Sequence, residues 1–162
     1  MDCEILEVKE LAHDVLNLRT VIQLLQYKHH KNTNVFKHSL AVAVLSVKYA
    51  NLLEKIHIKV DKKSLVRGAL LHDYFLYDWH LPHHKLHGFT HPKIAYLNAI
   101  RDFHVNKIEA NIIKRHMFPL TLIPPTRRES FIVCIADKVC AVKELITRKI
   151  KKNNNNVKKR IS

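Results

Sequence analysis

Apolar side chains recur at three- and four-residue steps along nearly the whole chain. Ile5, Leu6, Leu11, Val15, Leu18, Val21, Ile22 and Leu25 form one series, Leu40, Val44, Val47 and Leu52 a second, and Leu65, Ala69 and Leu70 a third. That period lays apolar groups along one face of a helix, whereas a half-buried strand needs a period of two. No strand–helix alternation and no internal repeat interrupts it. Only 2 of the 162 residues are glycine, too few for the many tight turns of a sandwich or small barrel. The reading is an all-α fold: a single-domain bundle of about six helices. A chain of this length buries roughly two-thirds of its unfolded surface.

Capping residues place the helix ends. One or two helices occupy the Ile5 to Leu25 series. Asn32-Thr33-Asn34 offers an N-cap to a helix from Val35 to Glu54, and Asp61 caps another that runs to His72-Asp73. Residues 74 to 89 lack a period and read as a loop. Thr90 can cap a helix with Pro92 in its first turn, ending near Phe103. Asn106 with Glu109 makes a capping-box pattern for a helix ending near His116. Pro119, Pro124 and Pro125 mark a connector, and Thr126 with Glu129 opens a last helix to about Ile150. The domain thus spans 1–150. Residues 151–162 (KKNNNNVKKRIS) form a basic low-complexity tail, either solvated or a frayed end of the last helix.

Lys and Arg number 28 against 14 Asp and Glu, a formal charge of +14. A hydrophobic content of 47% excludes disorder of the whole chain, and no apolar run approaches a membrane span. The start Met1-Asp2-Cys3-Glu4 does not read as a secretory signal. Cys3, Cys134 and Cys140 make no disulfide framework, so the expected setting is a reducing cytoplasm. The charge suits nucleic acid, a phosphorylated small molecule, or plain solubility. No nucleic-acid-binding motif is present, and the aromatic residues are not interleaved with the basic ones. The charge alone does not choose among the three, with nucleic acid not favoured, and no membrane partner is expected.

Thirteen residues are His, and a subset of them carries the chemistry. His72-Asp73 ends the apolar run Gly68-Ala69-Leu70-Leu71. Two ionisable groups in that position are costly to bury unless a partner compensates them, and a cation is one such partner. His38 sits in the first turn of an apolar helix, His91 opens another and His116 closes the next. Asp137 interrupts the apolar stretch Phe131 to Ala136. Four His and two Asp can hold two divalent cations. Imidazole-rich ligation favours Mn, Fe, Co, Ni or Zn over Mg or Ca. Each residue also has a bland reading: His116 as a favourable charge at a helix C-terminus, His91 as a first-turn residue, Cys134 and Cys140 as small buried hydrophobes. The loop cluster His80, His83, His84 and His87 reads as mostly solvated, with His87 the best candidate for a substrate contact. Trp79 and Tyr77 read as loop packing.

The order His38 … His72-Asp73 … His91 … His116 … Asp137 resembles the HD-domain superfamily of metal-dependent phosphohydrolases. The resemblance covers about residues 30 to 145, with contexts HSLAVA, ALLHDY and CIADK. The two additional His resemble the subset that holds two metals. The phrases HDYFLYDWH, HGFTHP, RHMFPLT and CIADK resemble small bacterial members. The resemblance implies a helical bundle around a central metal site, with His38, His72, Asp73 and Asp137 as core ligands. His91 and His116 complete a second site and Asp73 bridges the two. It also implies hydrolysis of a phosphomonoester or phosphodiester, nucleotides included, by a metal-bound hydroxide. Lys37, Arg115 and Lys138, each next to an implied ligand, are candidates to hold phosphate oxygens, and Asp73, Arg115 and Lys138 form the expected catalytic set. Two departures narrow the substrate. Tyr74-Phe75-Leu76-Tyr77 lacks the Lys that many members carry after His-Asp. Met117-Phe118-Pro119-Leu120 stands where cyclic-dinucleotide phosphodiesterases have Gly-Tyr-Pro, so that substrate is not assigned. Two alternatives remain open from the sequence: a di-iron oxygenase of the same superfamily, and a nucleic-acid-binding module using the basic surface.

Overall fold

The structure, a computed structural model, describes residues 2–17, 19–30, 33–77 and 86–161. Side chains are described for all of these except Asp2, Thr20, Lys28, His29, His30, Thr33 and residues 151–161. The chain runs α1 (Asp2–Leu11), α2 (His13–Leu16), α3 (Arg19–Gln23), β1 (Lys28–His30), β2 (Thr33–Asn34), α4 (Val35–Glu54), α5 (Lys62–Leu71), α6 (His87–Asp102), α7 (Lys107–Arg115) and α8 (Arg128–Ile161). The fold is all-α, as the periodicity implies. Among the described residues its one departure is a two-stranded antiparallel ladder pairing Lys28 with Asn34 and His30 with Thr33. No helix among the described residues is long and apolar enough to cross a membrane.

Four helices make the centre. α4 packs on α5 and α8, α5 on α7, and α7 on α8. Val42, Val47, Leu65, Leu70, Leu71, Ile112, Ile113, Val133 and Ala136 fill the space between them, all fully or nearly fully buried. Gly68 allows α5 and α7 to approach: a Cβ there would lie 2.4 Å from Ile112 Cδ1. One residue earlier, buried Arg67 donates to Glu109 at 2.7 Å, to the His104 carbonyl at 3.2 Å and to Asp14. The cation is thereby compensated, as a buried charge must be.

Three of the expected caps form. Asn34 accepts from Lys37 N at 2.9 Å, and Asp61 accepts from Ser64 N at 3.0 Å. Asn106 and Glu109 make a full capping box. Two others do not. α6 begins at His87, three residues before Thr90. The Thr90 hydroxyl donates back to the Leu86 carbonyl at 3.1 Å, and Pro92 lies within the helix. A Thr hydroxyl serves a carbonyl four residues back as readily as it caps, so Thr90 alone does not fix a start. Thr126 and Glu129 make no capping box either. Thr126 exchanges hydrogen bonds with Asn111 at 2.8 and 3.1 Å, while Glu129 accepts from Asp61 N at 3.0 Å. Both residues tie the start of α8 to neighbouring elements. The first helical series divides into α1, α2 and α3, and α8 extends beyond Ile150 to Ile161.

Candidate metal centre

α4, the end of α5, α6, the end of α7 and α8 each deliver one part of a buried His/Asp cluster. His38 lies on the first turn of α4 and is fully buried. His72 caps α5 in helical geometry (φ −60°, ψ −33°) and the helix stops there. Tyr74 N then bonds the Leu71 carbonyl at 3.1 Å and Phe75 N the Asp73 carbonyl at 2.8 Å. Neighbours on a regular helix point about 100° apart. Leaving the helix at this turn lets Asp73 fold back beside His72. α6 holds the turn in place: Asn98 Nδ2 donates to the Tyr74 carbonyl at 3.0 Å, and Tyr74 Oη donates to Asp102 at 2.9 Å. Leu76 follows in the left-handed region at φ 52°.

Three imidazoles share one mode of support. Nδ1 of His72 donates to the Ala69 carbonyl at 2.7 Å, Nδ1 of His91 to the His87 carbonyl at 2.8 Å, and Nδ1 of His116 to the Ile113 carbonyl at 2.8 Å. A carbonyl only accepts, so Nδ1 carries the proton and the lone pair lies on Nε2. The Nε2 atoms of His91 and His116 are 2.8 Å apart. They lie 3.2 and 3.5 Å from Asp73 Oδ1. His72 Nε2 is 3.5 Å from Asp73 Oδ2 and 3.8 Å from Asp137 Oδ1, and it is buried with no hydrogen-bond partner among the described residues. His38 Nε2 meets Asp137 Oδ1 at 3.0 Å.

These contacts form two buried groups that share Asp73: His38, His72 and Asp73, and Asp73, His91 and His116. Two facing lone pairs at 2.8 Å repel unless a positive centre lies between them. Ligand atoms about 2.1 Å from one cation stand roughly 3.0 Å apart at octahedral corners and roughly 3.4 Å apart at tetrahedral ones. The observed separations of 2.8, 3.2 and 3.5 Å within the Asp73, His91 and His116 group lie within about 0.2 Å of those values. The donor set therefore fits divalent metal.

The electrostatics differ across the cluster. Burial alone would lower the pKa of His38, but its hydrogen bonds to Asp137 and Glu144 raise it to about 10. Burial, aided by the His72 and His91 imidazoles, lowers His116 to about 3. Burial likewise lowers His72. For Asp137 burial acts to raise the pKa, but the His38 hydrogen bond and the neighbouring imidazoles hold it well below the ordinary carboxylate range. Cys140, behind Asp137, is pushed up to about 11 by burial and the adjacent carboxylates, consistent with an inert buried thiol.

All six residues singled out in the sequence thus come together. The three cations beside them do not join them. Lys138 Nζ donates to the His116 carbonyl at 2.9 Å, the Cys134 carbonyl at 3.3 Å and Cys134 Sγ at 3.2 Å. Arg115 lines a groove with Phe89, Tyr96, Lys114 and Leu122, and Lys37 is exposed on α4. Among the described residues, none of the three bonds a side chain of the cluster. The helical turn between neighbours accounts for this: a residue next to an inward-facing ligand faces elsewhere.

Two residues near the cluster had little or no weight in the sequence. Glu144 accepts from His38 Nδ1 at 2.9 Å. Its signal was available: it follows Asp137 by seven residues, two turns along the same face of α8. His87 stacks on His91 with centroids 4.5 Å apart, and its Nδ1 meets Tyr77 Oη at 2.9 Å. Trp79, His80, His83 and His84 lie outside the described residues.

No curated protein and no solved structure matches the chain. A family model described as HD domain matches residues 35–142, a span that contains all six His and Asp residues of the cluster. With more than half of its length matched, the chain belongs to the HD domain family, whose members are mostly metal-dependent hydrolases.

Proposed function

We propose that the protein is a metal-dependent phosphohydrolase that cleaves a phosphomonoester or phosphodiester. The observation that carries this reading is the convergence of three buried Nε2 atoms on Asp73. His38, His72, Asp73 and Asp137 would hold one cation, and His91 and His116 a second with Asp73 between them. Mn, Fe, Co, Ni or Zn suits such a donor set better than Mg. Divalent cations bound there supply Lewis acidity, lowering the pKa of bound water from about 16 towards 7 and offsetting charge on phosphate oxygens.

The chain's own residues prepare that chemistry. The Nδ1 hydrogen bonds fix the ring orientations and tautomers before any substrate arrives. Asp73 directs Oδ1 towards His91 and His116, and Oδ2 towards His72. Burial keeps bulk water away, so charges in the site are weakly screened. Lys138, donating to the carbonyls of His116 and Cys134, ties the end of α7 to α8 and acts as a positioning residue. The +14 formal charge draws anionic substrates towards the surface.

The test is metal analysis of the untagged protein, followed by a screen of phosphomonoesters, phosphodiesters and nucleotides. About two transition-metal ions per chain are expected, with hydrolysis abolished by chelator and by His72→Ala, and retained without oxygen. A protein that binds no metal, or one that consumes O₂ and hydrolyses no phosphoester, would refute the proposal.

A further inference from the structure

The four imidazoles of the cluster are not supported alike. Nδ1 of His72, His91 and His116 donates to a backbone carbonyl three or four residues earlier in the chain. Nδ1 of His38 instead donates to a carboxylate, Glu144 Oε1 at 2.9 Å, 106 positions further along the chain. His38 is fully buried and the Glu144 side chain is 16% exposed, so the hydrogen bond between them is weakly screened.

α8 creates this difference with one face. Seven residues from Asp137 to Glu144 make two turns with a residual rotation of about 20°. Asp137 thus reaches His38 Nε2 at 3.0 Å and Glu144 reaches Nδ1 at 2.9 Å, gripping one ring at both nitrogens. A carboxylate draws the Nδ1 proton more strongly than a carbonyl and leaves Nε2 the better donor. Among the described residues, the carboxylates on the His38 side are Asp73, Asp137 and Glu144, and on the His91 and His116 side Asp73. Among the described residues, that inequality in negative charge favours a cation on the His38 side.

We infer that Glu144 is a positioning residue that makes the His38, His72, Asp73 and Asp137 group the tighter of two cation sites. The inference rests on the two-cation reading given above. It predicts two unequal binding steps, of which Glu144 controls only the tighter.

The test is calorimetric titration of the chelator-treated full-length protein with Mn(II) or Co(II), comparing wild type, Glu144→Gln and Glu144→Leu. Gln keeps the shape and an acceptor oxygen but loses the charge; Leu loses both. In Glu144→Gln the tighter step should weaken about 10–100-fold and the weaker step should not move. Glu144→Leu should weaken it further and shift the His38 ring nitrogens in long-range nitrogen NMR spectra, with those of His116 unchanged. A merely structural Glu144 would lower the thermal midpoint and leave the tighter step in place, which overturns the inference. Equal weakening of both steps overturns it as well. Wild type that takes up no cation would overturn the two-cation reading and this inference together. Two cations in wild type with unchanged steps in both variants would overturn this inference alone.

Discussion

His38 and His116 are equally buried, on opposite sides of Asp73, yet their acid–base behaviour is opposite. His38 rises to about 10 and His116 falls to about 3. Burial disfavours the charged ring in both cases, so the partners decide the sign. Both nitrogens of His38 hydrogen-bond carboxylates, whereas His116 meets a carbonyl at Nδ1 and another imidazole at Nε2, with the Asp73 carboxylate further off at 3.5 Å. In metal-free protein the first ring is an imidazolium and the second is neutral. A cation at the His38 side would therefore release a proton from Nε2, so the affinities compared for the Glu144 variants are those corrected for proton release; at the His116 side the lone pair is already free.

The largest expected effect removes the residue common to both sides. Asp73→Asn should reduce hydrolysis by about a thousandfold or more, roughly 4 kcal/mol of barrier, and lower the bound metal. Steady-state rates with metal analysis measure it. Asp73→Asn protein that still holds two cations at wild-type affinity would remove Asp73 from its shared position.

The pH dependence of chelated protein comes next and tests the two sides separately. For His116 the folded pKa of about 3 lies below the ordinary value of 6.5, so the stability linked to it is present above pH 6.5 and is lost towards pH 3. For His38 the folded pKa of about 10 lies above 6.5, so its contribution is present below pH 6.5 and is lost towards pH 10. Thermal melting should peak near pH 6.5. His38→Gln should flatten only the alkaline limb, and His116→Gln only the acid limb. A single substitution that flattens both limbs would show the two sides to be one titrating unit.

Sequence and structure agree best where a residue type has few alternatives. A carboxylate in an apolar stretch, as at Asp137, demands a partner, and the cluster supplies it. The Asn106 and Asp61 caps are similarly legible, because their side chains bond amides two or three residues away. Legibility fails where the partner is distant in sequence. Glu129 matches a capping box on paper, but Asp61 N competes for the same oxygen from 68 positions away. Glu144 is an ordinary helical Glu until α4 brings His38 to it. Arg115 and Lys138 show the converse: each adjoins a ligand in sequence, yet among the described residues neither bonds a side chain of the cluster, because neighbours on a helix face differently.

Smaller effects test the mechanical support of the His116 side. Gly68→Ala places a Cβ against Ile112 where α5 crosses α7, the two helices that end in His72 and His116. Overpacking of this kind should destabilise the protein by about 1–3 kcal/mol, read by denaturant unfolding. Its effect on cation affinity should fall on the steps involving His72 and His116. A variant as stable as wild type would mean that α5 and α7 separate without penalty.

Lys138→Met should have the smallest effect and bears most directly on what that lysine does. Its ammonium donates to the His116 carbonyl at 2.9 Å, in the turn that carries the ligand ring. Removing the donor should cost about 1–2 kcal/mol of stability, because a hydrogen bond to a charged group exceeds a neutral one. A modest weakening of the His116 side should accompany it, with KM nearly unchanged and kcat lowered in proportion to metal occupancy at fixed free metal. If the ammonium held a phosphate oxygen of the substrate instead, the signature would be reversed: KM would rise and the thermal midpoint would stay put. Saturating metal separates the two further, since it should restore kcat in Lys138→Met only when the lysine acts through the position of His116.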